Sequence, residues 1–236
     1  MAIYMWREEA PTFTPLCFTA EQANSTVALN KNWNPTSVNL ETSTDWTTWT
    51  DYTIWNSITL ANVGDKVYMR NKSETDTWFS GSPSDYYQFS MTGKIWASGD
   101  ITSLMNKNGT TKISGDFQCL FKNCTSLTTS PELPATTLSY YCYENMFEWC
   151  TSLITLPELP ATTLKAGCYT RMFLWCTSIK LSETQTWEYQ IPYRIPTTWT
   201  WTGATNALGN MFRDTWWTFT WTPTINTTYY TSNQVI

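Results

Sequence analysis

Histidine is absent from this sequence, and charged residues make up only 14% of it. The first absence removes the commonest general base and the commonest metal ligand. Serine-histidine-aspartate and cysteine-histidine catalytic arrangements are thereby excluded. The second leaves 14 Lys plus Arg spread thinly through a chain of net charge -5, whereas a nucleic-acid surface needs a basic patch. No apolar run approaches the roughly 20 residues of a membrane-spanning helix. Neither a glycine-rich phosphate loop nor a Cys-x-x-Cys pair occurs. Asp76, Asp85 and Asp100 fall in loops but lack the Asp-x-Asp-x-Asp-Gly spacing of a calcium loop. These absences predict a chain that is not an enzyme and has no cofactor, no metal site, no nucleic-acid partner and no membrane span.

The first residues, from Met1 to Glu9, carry acidic charge and no apolar segment of the secretory type. The expectation is that a signal was removed, or that the protein reaches its site without one.

What the chain does contain is repetition. Pro131-Glu132-Leu133-Pro134-Ala135-Thr136-Thr137-Leu138 recurs as Pro157-Glu158-Leu159-Pro160-Ala161-Thr162-Thr163-Leu164. Phe147 with Trp149-Cys150-Thr151-Ser152-Leu153 recurs as Phe173 with Trp175-Cys176-Thr177-Ser178-Ile179, 26 residues on. The same register reaches back to Phe121 and Asn123-Cys124-Thr125-Ser126-Leu127. A fixed period of this length predicts a solenoid, in which each coil buries its apolar face against its neighbours. Equivalent residues then stack, so Phe121, Phe147 and Phe173 should form a row, with Phe117 opposite Tyr143 and Tyr169. Glu132 and Glu158 become a solvated ladder of repeat punctuation. Cys124, Cys150 and Cys176, and likewise Cys142 and Cys168, should stack as small buried free thiols.

The remainder of the chain is organised around these copies. Residues 1–15 read as an extended arm, with Pro11 and Pro15 opposing regular structure, of a kind that a partner orders. Residues 16–92 read as short strands at Leu16–Ala20, Thr26–Leu29, Val38–Ser43, Trp49–Ile54, Ser57–Leu60, Lys66–Arg70 and Tyr86–Met91. Strands of this length between regular turns predict a β-sandwich of immunoglobulin-like size. Residues 93–236 form the solenoid with atypical caps, Ser114 to Leu127 being a degenerate first copy. Within each copy the Tyr-x-x-Met-Phe piece has helical spacing and is expected to form one or two turns of α or 3₁₀ helix, and the Thr-Ser-Leu-x-x-Leu-Pro piece reads as the strand. Asn206 to Phe212 is a further copy, with Phe212 lying 39 residues after Phe173. The surplus falls within Glu183 to Thr205, which contains Pro192 and Pro196 and is expected to be a projecting loop or irregular coil. Phe219 to Ile236 should cap the end, with Tyr229-Tyr230 as a candidate edge strand.

Fifteen tryptophans against nine glycines invert the usual ratio. The residue before each Cys-Thr-Ser is Asn123, Trp149 or Trp175, and Asn tolerates a left-handed backbone that a bulky residue resists. Asp45-Trp46 stands where a hairpin favours Asp-Gly, and Asn32-Trp33-Asn34 where a turn favours Gly. Trp199, Trp201, Trp216, Trp217 and Trp221 interleave with Thr in the same manner. One reading is that many of these positions are glycine codons, a reassigned UGA being read as Trp. The other is that all are true tryptophans, packed as aromatic ladders or sugar-stacking platforms. Trp49 is the exception and belongs on a strand.

The Pro-Glu-Leu-Pro-Ala-Thr-Thr-Leu, Cys-Tyr-x-x-Met-Phe and Cys-Thr-Ser-Leu elements resemble those of BspA-like leucine-rich-repeat surface proteins. The resemblance is strong over residues 114–180 and weaker over 92–113 and 181–236. Trp149 and Trp175 depart from it, since copies in that family usually carry Gly or Asn before the Cys. Tyr86 to Ile95 is similar to the junction at which a β-sandwich precedes such repeats. The resemblance implies a right-handed solenoid, adhesion or recognition as the role, and no catalytic residues. The expected fold is therefore mainly β, an immunoglobulin-like sandwich followed by a short leucine-rich-repeat solenoid. The expected function is a phage virion component (tail, fibre or capsid decoration) mediating attachment at the virion surface. Other virion or surface proteins would bind the arm, and a host surface protein or glycan the solenoid; homo-oligomerisation stays open. The alternative is an extracellular, cell-surface bacterial adhesin.

Overall fold

A computed structural model describes residues 13–33, 38–77, 79, 84–110, 117–195, 205–215, 222–225, 227–232 and 235. Among the described residues the fold is mainly β, with several sheets, none closed, and one short 3₁₀ turn at Ile101–Leu104. The arm expected at residues 1–15 lies almost wholly outside the described residues.

Each stretch read as a strand between residues 16 and 92 contains one. These are β1 (Leu16–Ala20), β2 (Ser25–Lys31), β3 (Leu40–Ser43), β4 (Thr50–Tyr52), β5 (Ile58–Leu60), β6 (Lys66–Asn71) and β7 (Tyr87–Thr92). They are followed by β8 (Ile95–Ser98) and β9 (Leu127–Thr129). One six-stranded sheet has the order β4-β3-β6-β1-β8-β9, and a three-stranded sheet the order β5-β2-β7. Strict alternation decides which face goes inward: in β2 every second residue, from Ser25 to Lys31, is buried. Phe18 of β1 meets Phe89 of β7 edge-on at 4.9 Å, joining the two sheets through their inner faces.

From Phe117 onward the copies stack in register. The rings of Phe121 and Phe147 are 5.4 Å apart, those of Phe147 and Phe173 5.5 Å, and those of Phe173 and Phe212 5.2 Å, all nearly parallel. Phe117, Tyr143 and Tyr169 form a second row at 6.2 and 5.7 Å. The first row does not end at the repeats. Phe89 stacks on Phe121 at 5.1 Å, so one continuous buried core draws on residues from both sides of the exposed Thr92 and Gly93.

The segment expected to be helical is not. In each copy the backbone makes successive turns, closed by bonds such as Glu144 N–H to Tyr141 O and Glu148 N–H to Asn145 O. Every fourth residue has positive φ: Tyr141, Asn145 and Trp149; Gly167, Arg171 and Trp175; Asn206, Asn210 and Asp214. This reset turns alternate N–H groups outward along the stack. Tyr143, Asn145, Phe147 and Trp149 donate to Cys168, Thr170, Met172 and Leu174 of the next copy. An α-helix would have consumed those donors internally.

The Thr-Ser-Leu-x-x-Leu-Pro segment carries a strand in the first copy, where β9 lies parallel to β8, and a two-residue one in the third, where Leu181–Ser182 pairs with Tyr230 and Thr231. In the second copy the isolated pairing of Leu156 with Val235 replaces it, and further along Thr137 pairs with Thr163. The flanking prolines at 131, 134, 157 and 160 remove the donors a longer ladder needs. Hydroxyls substitute in part, Ser130 N–H donating to Thr155 Oγ1 at 2.7 Å.

The insertion after the third copy is also more ordered than a projecting loop. Leu181–Ser182 (β10) and Ile191–Arg194 (β11) flank Thr228–Thr231 (β12) in a three-stranded sheet. Tyr229 and Tyr230 are therefore in the central strand and not at an edge. Pro192 is accommodated because β11 is the edge strand. Pro196 and the tryptophans at 199, 201, 216, 217 and 221 lie outside the described residues.

Candidate recognition surface

Cysteine builds the coil from within. The thiols of Cys124, Cys150 and Cys176 donate to the carbonyls of Phe89, Phe121 and Phe147 at 3.1, 3.0 and 2.9 Å. Each thus ties its own turn to the aromatic row one layer back. All seven cysteines are buried and unbridged. Burial pushes the Cys168 thiol up to about 12 and the Cys119 thiol up to about 11, which makes them packing groups and not nucleophiles.

The corner just before each of these cysteines faces outward. Trp149 and Trp175 occupy it, 41% and 36% exposed, with rings 4.8 Å apart and 11° from parallel. Tyr140, Tyr141 and Ile154 are exposed on the copy that carries Trp149. Tyr141 lies against Gly167, where an added Cβ would come within 2.1 Å of its ring. A second feature is an open groove of about 580 Å³ whose lining includes Glu158, Leu159, Pro160, Thr162, Tyr193 and Arg194. Tyr193 anchors its wall by donating to Pro157 O at 3.1 Å. Both features present aromatic and hydrogen-bonding surface of the type used to contact proteins or sugars.

The carboxylates singled out from sequence do not converge on one site, although Asp100 and Glu132 lie side by side through an isolated parallel pairing. Asp76 accepts from Asn106 and Thr110, and Asp85 pairs with Lys31 at 3.2 Å. Asp100 caps the 3₁₀ turn, accepting from Thr102 N–H at 2.7 Å and from its hydroxyl at 2.6 Å. Burial raises its carboxyl to about 6 against those two bonds, and neighbouring Glu132 adds to the rise. Glu132 and Glu158 are exposed, each at the head of its copy. Among the described residues no group of three Cys, Asp or Glu is placed to hold a metal ion, and no helix is long and apolar enough to cross a membrane.

Sequence reading missed Phe89 as a member of the aromatic row, because no Cys-Thr-Ser follows it. The groove beside β11 was also unread, since it needs the pairing of β11 with β12. No protein-family model matches this chain, and neither the curated proteins nor the solved structures yielded a match to it.

Proposed function

We propose that this chain is a non-catalytic recognition protein of the BspA-like leucine-rich-repeat type. In this reading an immunoglobulin-like sandwich leads into a short right-handed solenoid, and the protein serves as an attachment component of a phage virion. The observation that carries the reading is the single row of Phe89, Phe121, Phe147, Phe173 and Phe212. Equivalent side chains piled at a constant step are what a solenoid core requires, and such a pile leaves extended lateral faces free for contact. The groove at Tyr193 and the exposed Tyr140 and Tyr141 are the surfaces offered to a host protein or glycan.

The test is to locate the chain in its native setting with antibodies raised against the recombinant protein. Labelling of purified particles by immuno-electron microscopy supports the virion reading. Labelling of the bacterial envelope with unlabelled particles overturns it in favour of the adhesin. Detection only inside cells, away from particles, overturns both.

A further inference from the structure

We infer that the native protein carries glycine where this sequence has Trp46, Trp55, Trp149 and Trp175, its gene using UGA as a glycine codon. The described tryptophans are Trp33, Trp46, Trp49, Trp55, Trp96, Trp149, Trp175 and Trp187. Half of them have positive φ: 68° at Trp46, 75° at Trp55, 66° at Trp149 and 63° at Trp175. Side chains with a Cβ clash with the following carbonyl in that region, and bulky residues visit it rarely. Among the described phenylalanines and tyrosines only Tyr141 does so. The residue types otherwise concentrated there are glycine, at Gly64, Gly93, Gly99, Gly109 and Gly167, and asparagine, at Asn24, Asn123, Asn145, Asn206 and Asn210.

The repeat supplies an internal control. One structural position is filled by Asn123, Trp149, Trp175 and Asp214, with φ of 64°, 66°, 63° and 56°. Asn and Asp are the side chains that tolerate the left-handed region, and Gly is the remaining natural choice. Tryptophan belongs to neither group.

Burial points the same way. Tryptophan is usually well buried on average, yet no described tryptophan is buried, while Phe, Tyr, Leu, Met and Cys fill the core. Trp55 is 57% exposed. Trp49 again differs, although it lies just before β4 and not on the strand expected for it. Its backbone φ is not among the positive values, its indole N–H donates to Trp46 O at 3.1 Å, and the Arg70 guanidinium lies over its ring at 3.7 Å. That is a tryptophan integrated into its surroundings, whereas Trp46 has only edge-on ring contacts, with Tyr68 at 4.9 Å and with Trp49 at 6.5 Å.

The stacking of Trp149 on Trp175 does not oppose this inference. Aromatic rings placed at equivalent positions of adjacent copies must face each other at the step of the stack, as the buried rows do. With glycine there, the corner is bare backbone flanked by Thr and Ser, and the aromatic sugar platform disappears. Recognition then falls to the groove and to the exposed tyrosines.

The experiment is peptide mass spectrometry of the protein purified from its natural source, beside sequencing of its gene. The expected result is UGA at codons 46, 55, 149 and 175 with glycine in the matching peptides, and UGG with tryptophan at 49. Tryptophan in the native peptide at 149 or 175 overturns the inference. An independent arm compares the recombinant chain with its Trp149→Gly/Trp175→Gly variant. A higher melting temperature in the variant is expected, and a lower one overturns the inference.

Discussion

The ring of Phe89 stacks on that of Phe121, 5.1 Å away and 20° from parallel, although one residue belongs to a strand and the other to a turn. Their backbones correspond as well. Phe89 N–H donates to Leu120 O as Phe121 N–H donates to Met146 O, and each Phe carbonyl accepts a cysteine thiol from the next layer. Strand β7 thus performs the task of a repeat copy, so the first turn is covered on both sides. A repeat array exposed at its first layer would need a polar cap; here a β-sheet supplies the missing neighbour.

Truncating the shared ring should therefore be felt on both sides of it. Phe121→Ala is expected to cost about 3–5 kcal/mol, the usual range for a buried Phe. Phe121→Leu, which keeps most of the volume, should cost under about 1.5 kcal/mol. Urea unfolding followed by aromatic fluorescence and by far-ultraviolet circular dichroism checks this. Two separate transitions in the unmutated chain would show that the row does not couple the sheets to the repeats.

The buried thiols make a second prediction. Their raised values, with Cys168 moved from 9.0 to about 12, mean that the folded form holds protons that the unfolded chain releases above pH 9. Stability is thus fully present below about 9 and lost as pH rises toward 12. Thermal melts at pH 8, 9, 10 and 11 should show steadily falling midpoints. At neutral pH a thiol reagent should label the native protein scarcely at all and the urea-unfolded protein at every cysteine. Rapid labelling of Cys150 or Cys176 under native conditions would contradict the packing described.

Gly99 holds the start of the described chain. Its φ is 74°, and an added Cβ would come within 2.2 Å of Pro15 O and 2.8 Å of Thr14 O, both backbone atoms that cannot swing aside. Gly99→Ala should destabilise by more than about 1 kcal/mol and release Thr14 and Pro15 from their pairing with Asp100. Limited proteolysis should then cut near the N-terminus faster than in the parent, with cutting elsewhere little changed. Equal rates there would mean that this contact does not secure the segment.

The strands before residue 92 were legible because turn residues punctuate them and alternation sets their faces, as in Ser25 to Lys31. The stack was legible because Phe121, Phe147 and Phe173 keep one period. The helix expected at Tyr143 to Phe147 failed for an instructive reason. A turn reset by a left-handed residue at every fourth position imitates the apolar spacing of a helix. The distinguishing signal was present in Asn206, Asn210 and Asp214, three residues tolerant of positive φ spaced by four. In the second and third copies Tyr141, Trp149, Arg171 and Trp175 obscured it. The sheet of β10, β11 and β12 was hidden because Pro192 reads as a strand breaker until its edge position is known. The groove at Tyr193 depends on that sheet and was hidden with it.

Asp100 links the first repeat layers to pH. Its folded value near 6, against 3.8 for the ordinary carboxyl, means that the native state keeps a proton which the unfolded chain gives up earlier. The stability it contributes is fully present below pH 3.8 and is lost as pH rises through 6. The shift bounds the effect at about 3 kcal/mol. Asp100→Asn retains an oxygen to accept from Thr102 N–H but carries no titrating proton, so its stability should not fall over this window. Urea midpoints at pH 4, 5, 6 and 7 should therefore converge at the acid end, the parent dropping below the variant as pH increases. Parallel curves for the two proteins would show that the Asp100 carboxyl titrates alike in the folded and unfolded chain, which overturns the raised value.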